Sequence, residues 1–181
     1  MIRIIAGELR GLQIEQPSDK FTRPTTDRVR EAVFSSIQFK VVDTNCLDLF
    51  TGSAAWAIES ISRGAKSVDA IELNREVFEV AKKNILKTKT QDKINLIKAD
   101  ALDFVSRTSQ KYDFVYIDAP YREYELVNKI LSELAQRDIL EEGFEIIIET
   151  DDPRELVIPD KFTEFKNKKY GKIHILYLCQ N

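Results

Sequence analysis

NCLDLFTGSAAWAIESISRG, Asn45 to Gly64, decides the fold: it reads as a short buried strand, a tight turn and a helix in immediate succession. Cys46, Leu47, Leu49 and Phe50 form an apolar run broken only by Asp48, and the small residues Thr51-Gly52-Ser53 let the backbone turn sharply where the run stops. Ala54 to Arg63 is rich in helix formers and ends at Gly64, a residue suited to a helix C-terminus. A strand that feeds through glycine into a helix opens a crossover in an α/β sheet, and such sheets bind ligands at the carboxyl ends of their strands. The turn at Gly52 is therefore the first place to look for a cofactor.

Toward the C-terminus the pattern keeps alternating. Ser67 to Glu72 predicts a second strand, and Asn74 to Lys87 a helix striped by Val77, Ala81 and Ile85. Ile94 to Ala99 predicts a third strand, with Asp100 opening a short helix through Phe104 and Val105. Tyr112 to Ile117 predicts a fourth, ending in Asp118-Ala119-Pro120-Tyr121. Tyr124, Val127, Leu131 and Leu134 stripe another helix, and Phe144 to Glu149 reads as a fifth strand. Lys161 to Gln180 reads as two strands broken near Gly171, an antiparallel finish to the sheet. This alternation specifies a mostly parallel, three-layer α/β sandwich.

Before Asn45 the chain differs. Ile2 to Ala6 and Gly11 to Ile14 predict a hairpin, and Arg23-Pro24-Thr25-Thr26-Asp27 supplies helix-start chemistry ahead of Val29, Val33, Ser36 and Ile37. Six basic residues, Arg3, Arg10, Lys20, Arg23, Arg28 and Arg30, face four acids within the first 30 residues. Residues 1–40 are expected to be a basic hairpin-and-helix extension, residues 41–181 the sheet, and the whole a single domain.

The bulk numbers set bounds. A chain of 181 residues, 43% hydrophobic, fills one core. No apolar run nears the roughly 20 residues of a membrane span, and the start lacks a signal-peptide pattern, so a cytoplasmic protein with no membrane partner is expected. Cys46 and Cys179 are too few for a metal set and are expected to be free thiols; no metal is expected, and lone His174 is expected to be structural. A net charge of −3 excludes a protein that coats nucleic acid indiscriminately, and the lysine clusters at 82–98 and 161–172 read as solvated faces.

Four successive strands place an acid at or near the carboxyl end: Asp48, Glu72, Asp100 and Asp118. A dinucleotide pyrophosphate would be repelled by that row, and Gly52-Ser53-Ala54-Ala55-Trp56-Ala57 keeps only the first glycine of a dinucleotide fingerprint. S-adenosylmethionine presents an ammonium, a sulfonium, a ribose diol and an adenine amine, all suited to carboxylates. Glu72 is expected at the ribose and Asp100 at the adenine amine. The Asp118 carboxylate and the Ala119 carbonyl would accept from a conjugated amine and aim its lone pair at the methyl group, and Tyr121 offers a face for an extruded base.

Three motifs carry a family likeness: Ile4-Ile5-Ala6-Gly7 with Arg10-Gly11; Arg23-Pro24-Thr25 with Val29-Arg30-Glu31 and Phe34; and Leu47-Asp48-Leu49-Phe50 through Gly52-Ser53 to Glu59 and Ser62-Arg63-Gly64-Ala65. In these the chain resembles the bacterial RsmD family, 16S rRNA (guanine-N2) methyltransferases that use S-adenosylmethionine. The resemblance implies a Rossmann-like class I methyltransferase fold, a mostly parallel seven-stranded sheet with helices on both faces and an antiparallel C-terminal strand. It implies cofactor contacts from Asp48, Gly52, Ser53, Glu72, Asp100 and Ala101, and a target-base site at Asp118, Ala119, Pro120 and Tyr121. It implies Arg10, Arg23, Thr25 and Arg30 on the substrate side. The partner it implies is 16S rRNA within the small ribosomal subunit, with ribosomal proteins at hand, and a monomeric enzyme.

Three positions depart from the family pattern. Ala54 stands at its second loop glycine, Trp56 replaces a smaller aliphatic residue, and Ala119 replaces the first proline of the tetrapeptide. Trp56 is expected to pack into the core. Two other readings stay open: nitrogen methylation of DNA adenine or a protein amide, and a ribosome-assembly binding module without activity.

Overall fold

The computed structural model describes residues 1–20 and 25–181. Arg23 and Pro24, named above on the substrate side and in the second motif, lie outside the described residues. The main sheet begins with β3 (Asn45–Asp48), β4 (Ser67–Glu72), β5 (Ile94–Lys98), β6 (Tyr112–Ile117) and β7 (Leu140–Thr150) and closes with β8 (Phe162–Tyr170) and β9 (Ile173–Gln180). Its spatial order is β5-β4-β3-β6-β7-β9-β8. β3 to β7 run parallel, and β9 inserts antiparallel between β7 and β8.

Burial alternates along the strands because helices cover both faces. Leu47, Val115, Ile117, Ile146 and Ile148 pack beneath α4 (Ala101–Arg107) and α5 (Tyr124–Gln136). Val68, Ala70, Phe114, Tyr116 and Ile147 pack on the other face, beneath α1 (Asp27–Ile37), α2 (Ala55–Ser62) and α3 (Arg75–Lys87). Two of the long helices start where a side chain takes an orphan N–H: Thr26 caps α1 and Asn74 caps α3. β7 begins earlier than the Phe144 expected from the sequence. A register shift opposite Tyr112 and Phe114 absorbs the turn-like Gly143, and the strand extends back to Leu140.

The N-terminal hairpin is real but short, β1 (Ile2–Arg3) against β2 (Gln13–Ile14). Ile4, Ile14, Val29, Val33, Phe34 and Ile37 join the same buried cluster as α2 and α3. One carboxylate fastens this segment to α2. Glu59, with no side-chain exposure, accepts from the N–H of Ile5 at 2.9 Å and of Ala6 at 3.4 Å, and Arg30 and Arg63 each place an Nε 3.7 Å from it. Next to it, Leu9 N–H donates to the Ser62 hydroxyl at 2.9 Å and Glu8 N–H to the Ser62 carbonyl at 2.9 Å. Gly7 passes so close that a Cβ would stand 1.9 Å from the Ser62 carbonyl oxygen, and its φ is +83°. No other residue fits there. Much of the first and third motif is thus the stitching between hairpin and α2.

Within the parallel part of the sheet, chain order reverses direction at one place. From β3 the crossovers run outward through β4 to β5, then return to β6 on the other side of β3. The crevice between the carboxyl ends of β3 and β6 is the topological switch point, where open α/β sheets bind their ligands.

Candidate active site

Asp48 ends β3 and lies at that switch point, fully buried. Its Oδ2 accepts from the Thr51 hydroxyl at 2.7 Å, while Oδ1 has no hydrogen-bond partner among the described residues. Burial pushes its carboxyl up to about 7, with the charge of Glu72 adding to the rise and the Thr51 hydroxyl and Phe50 N–H opposing it. Glu72 ends β4 and turns toward the glycine loop: Oε1 accepts from Gly52 N–H at 3.0 Å, and Oε2 from Asn74 N–H at 3.0 Å. Burial raises its proton affinity too, against those backbone donors.

The loop between β3 and α2 is shaped for a close neighbour. Gly52 has φ +57°, and a Cβ there would meet no atom within 4 Å. Ser53 caps the helix start, its hydroxyl accepting from Ala55 N–H at 3.2 Å. The Ser53 carbonyl accepts from the side-chain amide of Asn84 at 2.9 Å, and the same amide group binds the backbone of Glu15 through both its oxygen and its nitrogen. Asn84 therefore ties the N-terminal segment to the loop, a role no sequence signal announced. Ala54 adopts the left-handed conformation at φ +68°. At the end of β5, Asp100 caps α4 by accepting from Asp103 N–H at 3.0 Å, and Ala101 follows, buried.

Across the switch point, Asp118 follows β6, half-buried. Its Oδ2 lies 3.1 Å from the Thr25 hydroxyl. The same hydroxyl lies 2.8 Å from Glu149 Oε2 at the end of β7, and the Tyr116 hydroxyl donates to that Glu149 oxygen at 2.9 Å. Burial first, then the charges of Glu149 and Asp48, hold the Asp118 carboxyl well above the usual carboxylate range, against the Thr25 hydroxyl. Burial raises Glu149 as well. Tyr116 is itself held rigid. Its ring stacks on Trp56 with centroids 4.7 Å apart and planes 1° from parallel, and Phe34 backs the indole at 5.3 Å. The bulk of Trp56 goes into the core, as expected from the sequence.

Ala119 and Pro120 lead from Asp118 to Tyr121, whose ring is 64% exposed with the Arg122 guanidinium 5.0 Å from its centroid. Thr25 thus meets Asp118 in space, although 93 residues separate them. Glu149 and Tyr116 complete the cluster and were not singled out in the sequence. The signal was available: Glu149 ends the fifth strand, on the same rim as the other four acids.

Arg30 requires a correction. Instead of bordering the cleft it is 2% exposed, donates to the Arg3 carbonyl, lies 3.2 Å from Asp27 and faces Glu59. Its place on α1, one turn from Val33 and Phe34, puts it on the buried face. Arg10 is exposed and lines a cavity of about 180 Å³ with Arg3, Gly11 and Glu31, apart from the rim acids. The β8 lysines are surface groups on an edge strand, where charge discourages edge-to-edge pairing. His174 Nδ1 rests 3.2 Å from the Asn167 side-chain oxygen.

The family model described as "Conserved hypothetical protein 95" matches residues 2–179. The chain is 32% identical over 180 residues to the ribosomal RNA small subunit methyltransferase D of Buchnera aphidicola, covering 98% of this chain and 93% of that protein. The chain belongs to the RsmD family. A second member, from Haemophilus influenzae, is 32% identical and covers 94% of this chain and 89% of its own length. Among solved structures, a putative methyltransferase from Escherichia coli superposes with a TM-score of 0.88 at 29% identity, covering 99% of this chain and 97% of that one. The RsmD fold is that of class I S-adenosylmethionine-dependent methyltransferases, and family and fold imply that cofactor.

The rim fits it. Among the described residues Asp48 offers a buried carboxylate oxygen without a partner, Gly52 leaves open space, and Glu72 and Asp100 present acids at the neighbouring strand ends. Among the described residues no group of acids, histidines and cysteines could hold a metal ion, and no helix is long and apolar enough to cross a membrane.

Proposed function

We propose that this chain transfers a methyl group from S-adenosylmethionine to the exocyclic N2 amine of a guanine in small-subunit (16S) rRNA. The observation that carries the reading is Asp118, a half-buried acid at the switch point beside the Ala119 carbonyl, opening toward an exposed tyrosine. The chemistry the cofactor supplies is an electrophilic methyl on a sulfonium. The protein's part is to hold an amine whose lone pair is delocalised into the base. Asp118 and the Ala119 carbonyl accept its two hydrogens and fix the lone pair's direction, a gain of orientation and electrostatics. Raised proton affinity suits Asp118 to take the surplus proton. Tyr121 stacks the extruded base, worth about 1–3 kcal/mol. Asp48 is assigned to the cofactor's ammonium, Glu72 to its ribose and Asp100 to its adenine amine, with Gly52, Ser53 and Ala101 as backbone walls. Arg10 and Thr25 remain on the substrate side.

The relatives' names support the target class, and the net charge of −3 suits recognition of an assembled particle better than of bare RNA. Labelled cofactor incubated with small subunits, naked DNA and protein extract is the test. Label in guanine N2 of the small-subunit rRNA is expected, and label in adenine or a protein amide would overturn the assignment. Calorimetry addresses the assembly-module alternative, which predicts no binding at millimolar cofactor.

A further inference from the structure

One hydroxyl stands between the acid after β6 and the acid ending β7. Thr25 Oγ1 lies 3.1 Å from Asp118 Oδ2 and 2.8 Å from Glu149 Oε2, and the Tyr116 hydroxyl lies 2.9 Å from that same Glu149 oxygen. A threonine hydroxyl carries a single hydrogen and can donate to only one of the two carboxylates. With both acids ionised, the other short contact would set lone pair against lone pair. With one proton on the pair every contact is satisfied in series: Tyr116 donates to protonated Glu149, Glu149 to Thr25, and Thr25 to ionised Asp118. The reversed chain, with the proton on Asp118, is satisfied equally.

The surroundings favour retention of that proton. Among the described residues no ion pair reaches Asp118 or Glu149. Among the described residues the titratable groups facing the pair are Tyr116 from β6 and Asp48 from β3, and neither brings positive charge. Burial raises both carboxyls.

We propose that Asp118 and Glu149 hold one proton between them across the Thr25 hydroxyl, and that Glu149 is a positioning residue that carries it so that Asp118 meets the amine as an anion. The role toward the amine rests on the function proposed above. The proton balance is simple. Asp118 takes the proton leaving the methylated amine, the pair passes from one proton to two, and solvent removes the excess as the product leaves.

The full chain with ¹³C-labelled aspartate and glutamate carboxyls, titrated by NMR, tests this without substrate, so the answer stands apart from whether rRNA is the target. The pair is expected to titrate in two well-separated steps, with one proton still bound at neutral pH. Asp118→Asn is expected to move the Glu149 step down by about one pH unit or more, by removing the competing charge. Glu149→Gln, neutral as the protonated acid is, is expected to leave the acid limb of the pH profile of kcat/KM in place. Two independent carboxylates, both ionised by about pH 5 as in model peptides, would overturn the proposal. So would a Glu149 step unmoved by Asp118→Asn. If that variant does not fold, the wild-type titration alone decides.

Discussion

Two acids in this chain, Glu59 fully buried and Asp118 half-buried, live opposite lives. Glu59 lies in a knot: two backbone N–H groups and the guanidinium groups of Arg30 and Arg63 surround it. Asp118 faces Glu149 across a single hydroxyl, within reach of the charge of Asp48. Burial raises the proton affinity of both. At Glu59 every further influence lowers it again, whereas at Asp118 the neighbouring carboxylates push it higher. An acid matched by donors and cations holds structure together; acids gathered without cations are left for a ligand to match.

The largest effect should come from breaking the matched acid. Glu59→Ala leaves Arg63 without its anion and Arg30 with Asp27 alone, and strands the Ile5 and Ala6 N–H groups, and a loss of about 3–5 kcal/mol is expected in urea unfolding. A loss under about 1 kcal/mol would mean that the hairpin is held by its apolar contacts alone.

Breaking the unmatched acid should do the reverse. Asp118→Asn is expected to slow single-turnover methyl transfer by about 10²- to 10³-fold, as loss of one aimed electrostatic group does. Stability at pH 8 should not fall, because one of two carboxylates crowded around a single hydroxyl has been removed. Affinity for the cofactor should stay within a few fold. Full activity in this variant would contradict the assigned role.

The pH dependence sharpens the same contrast at Asp48. Its carboxyl is held up at about 7, above the ~4 of an unfolded chain. The stability this group contributes is therefore complete below about pH 4 and is lost as pH climbs through 7. Cofactor affinity runs the other way, because the ammonium needs the ionised form. Calorimetry should show binding weakening toward a limit of about tenfold per pH unit below 7. Thermal stabilisation by cofactor should be larger at pH 8 than at pH 6, and an equal shift at both would remove Asp48 from the ammonium.

The smallest effect concerns the glycine loop. Ala54 holds a left-handed φ of +68°, which costs an L residue about 1–2 kcal/mol. Its buried methyl returns about 0.8 kcal/mol. Ala54→Gly is thus expected to raise stability by about 0.5 kcal/mol and leave the fold intact, as read from the midpoint of urea unfolding.

Legibility in the sequence follows the range of the forces. β4, β6, β8, β9 and the helices were readable because alternation and 3.6-residue stripes are local, and Asp48, Glu72, Asp100 and Asp118 because strand ends could be counted. Glu149 was visible as a strand end yet was left among ordinary acids, since its partners Thr25 and Tyr116 lie 124 and 33 residues away. Arg30 was read as a substrate contact because basic residues crowd the first segment. Its spacing from Val33, Phe34 and Ile37 already put it on the buried face, and only the fold supplied Glu59 as the reason a charge could stay there.

The decisive measurement is a crystal structure with S-adenosylhomocysteine bound. The ribose hydroxyls should sit on Glu72, the ammonium on Asp48, and the sulfur should point toward Asp118 and the Ala119 carbonyl. A ligand seated away from these strand ends, or carboxylates that take no contact with it, would contradict the claim that the unmatched acids form the site.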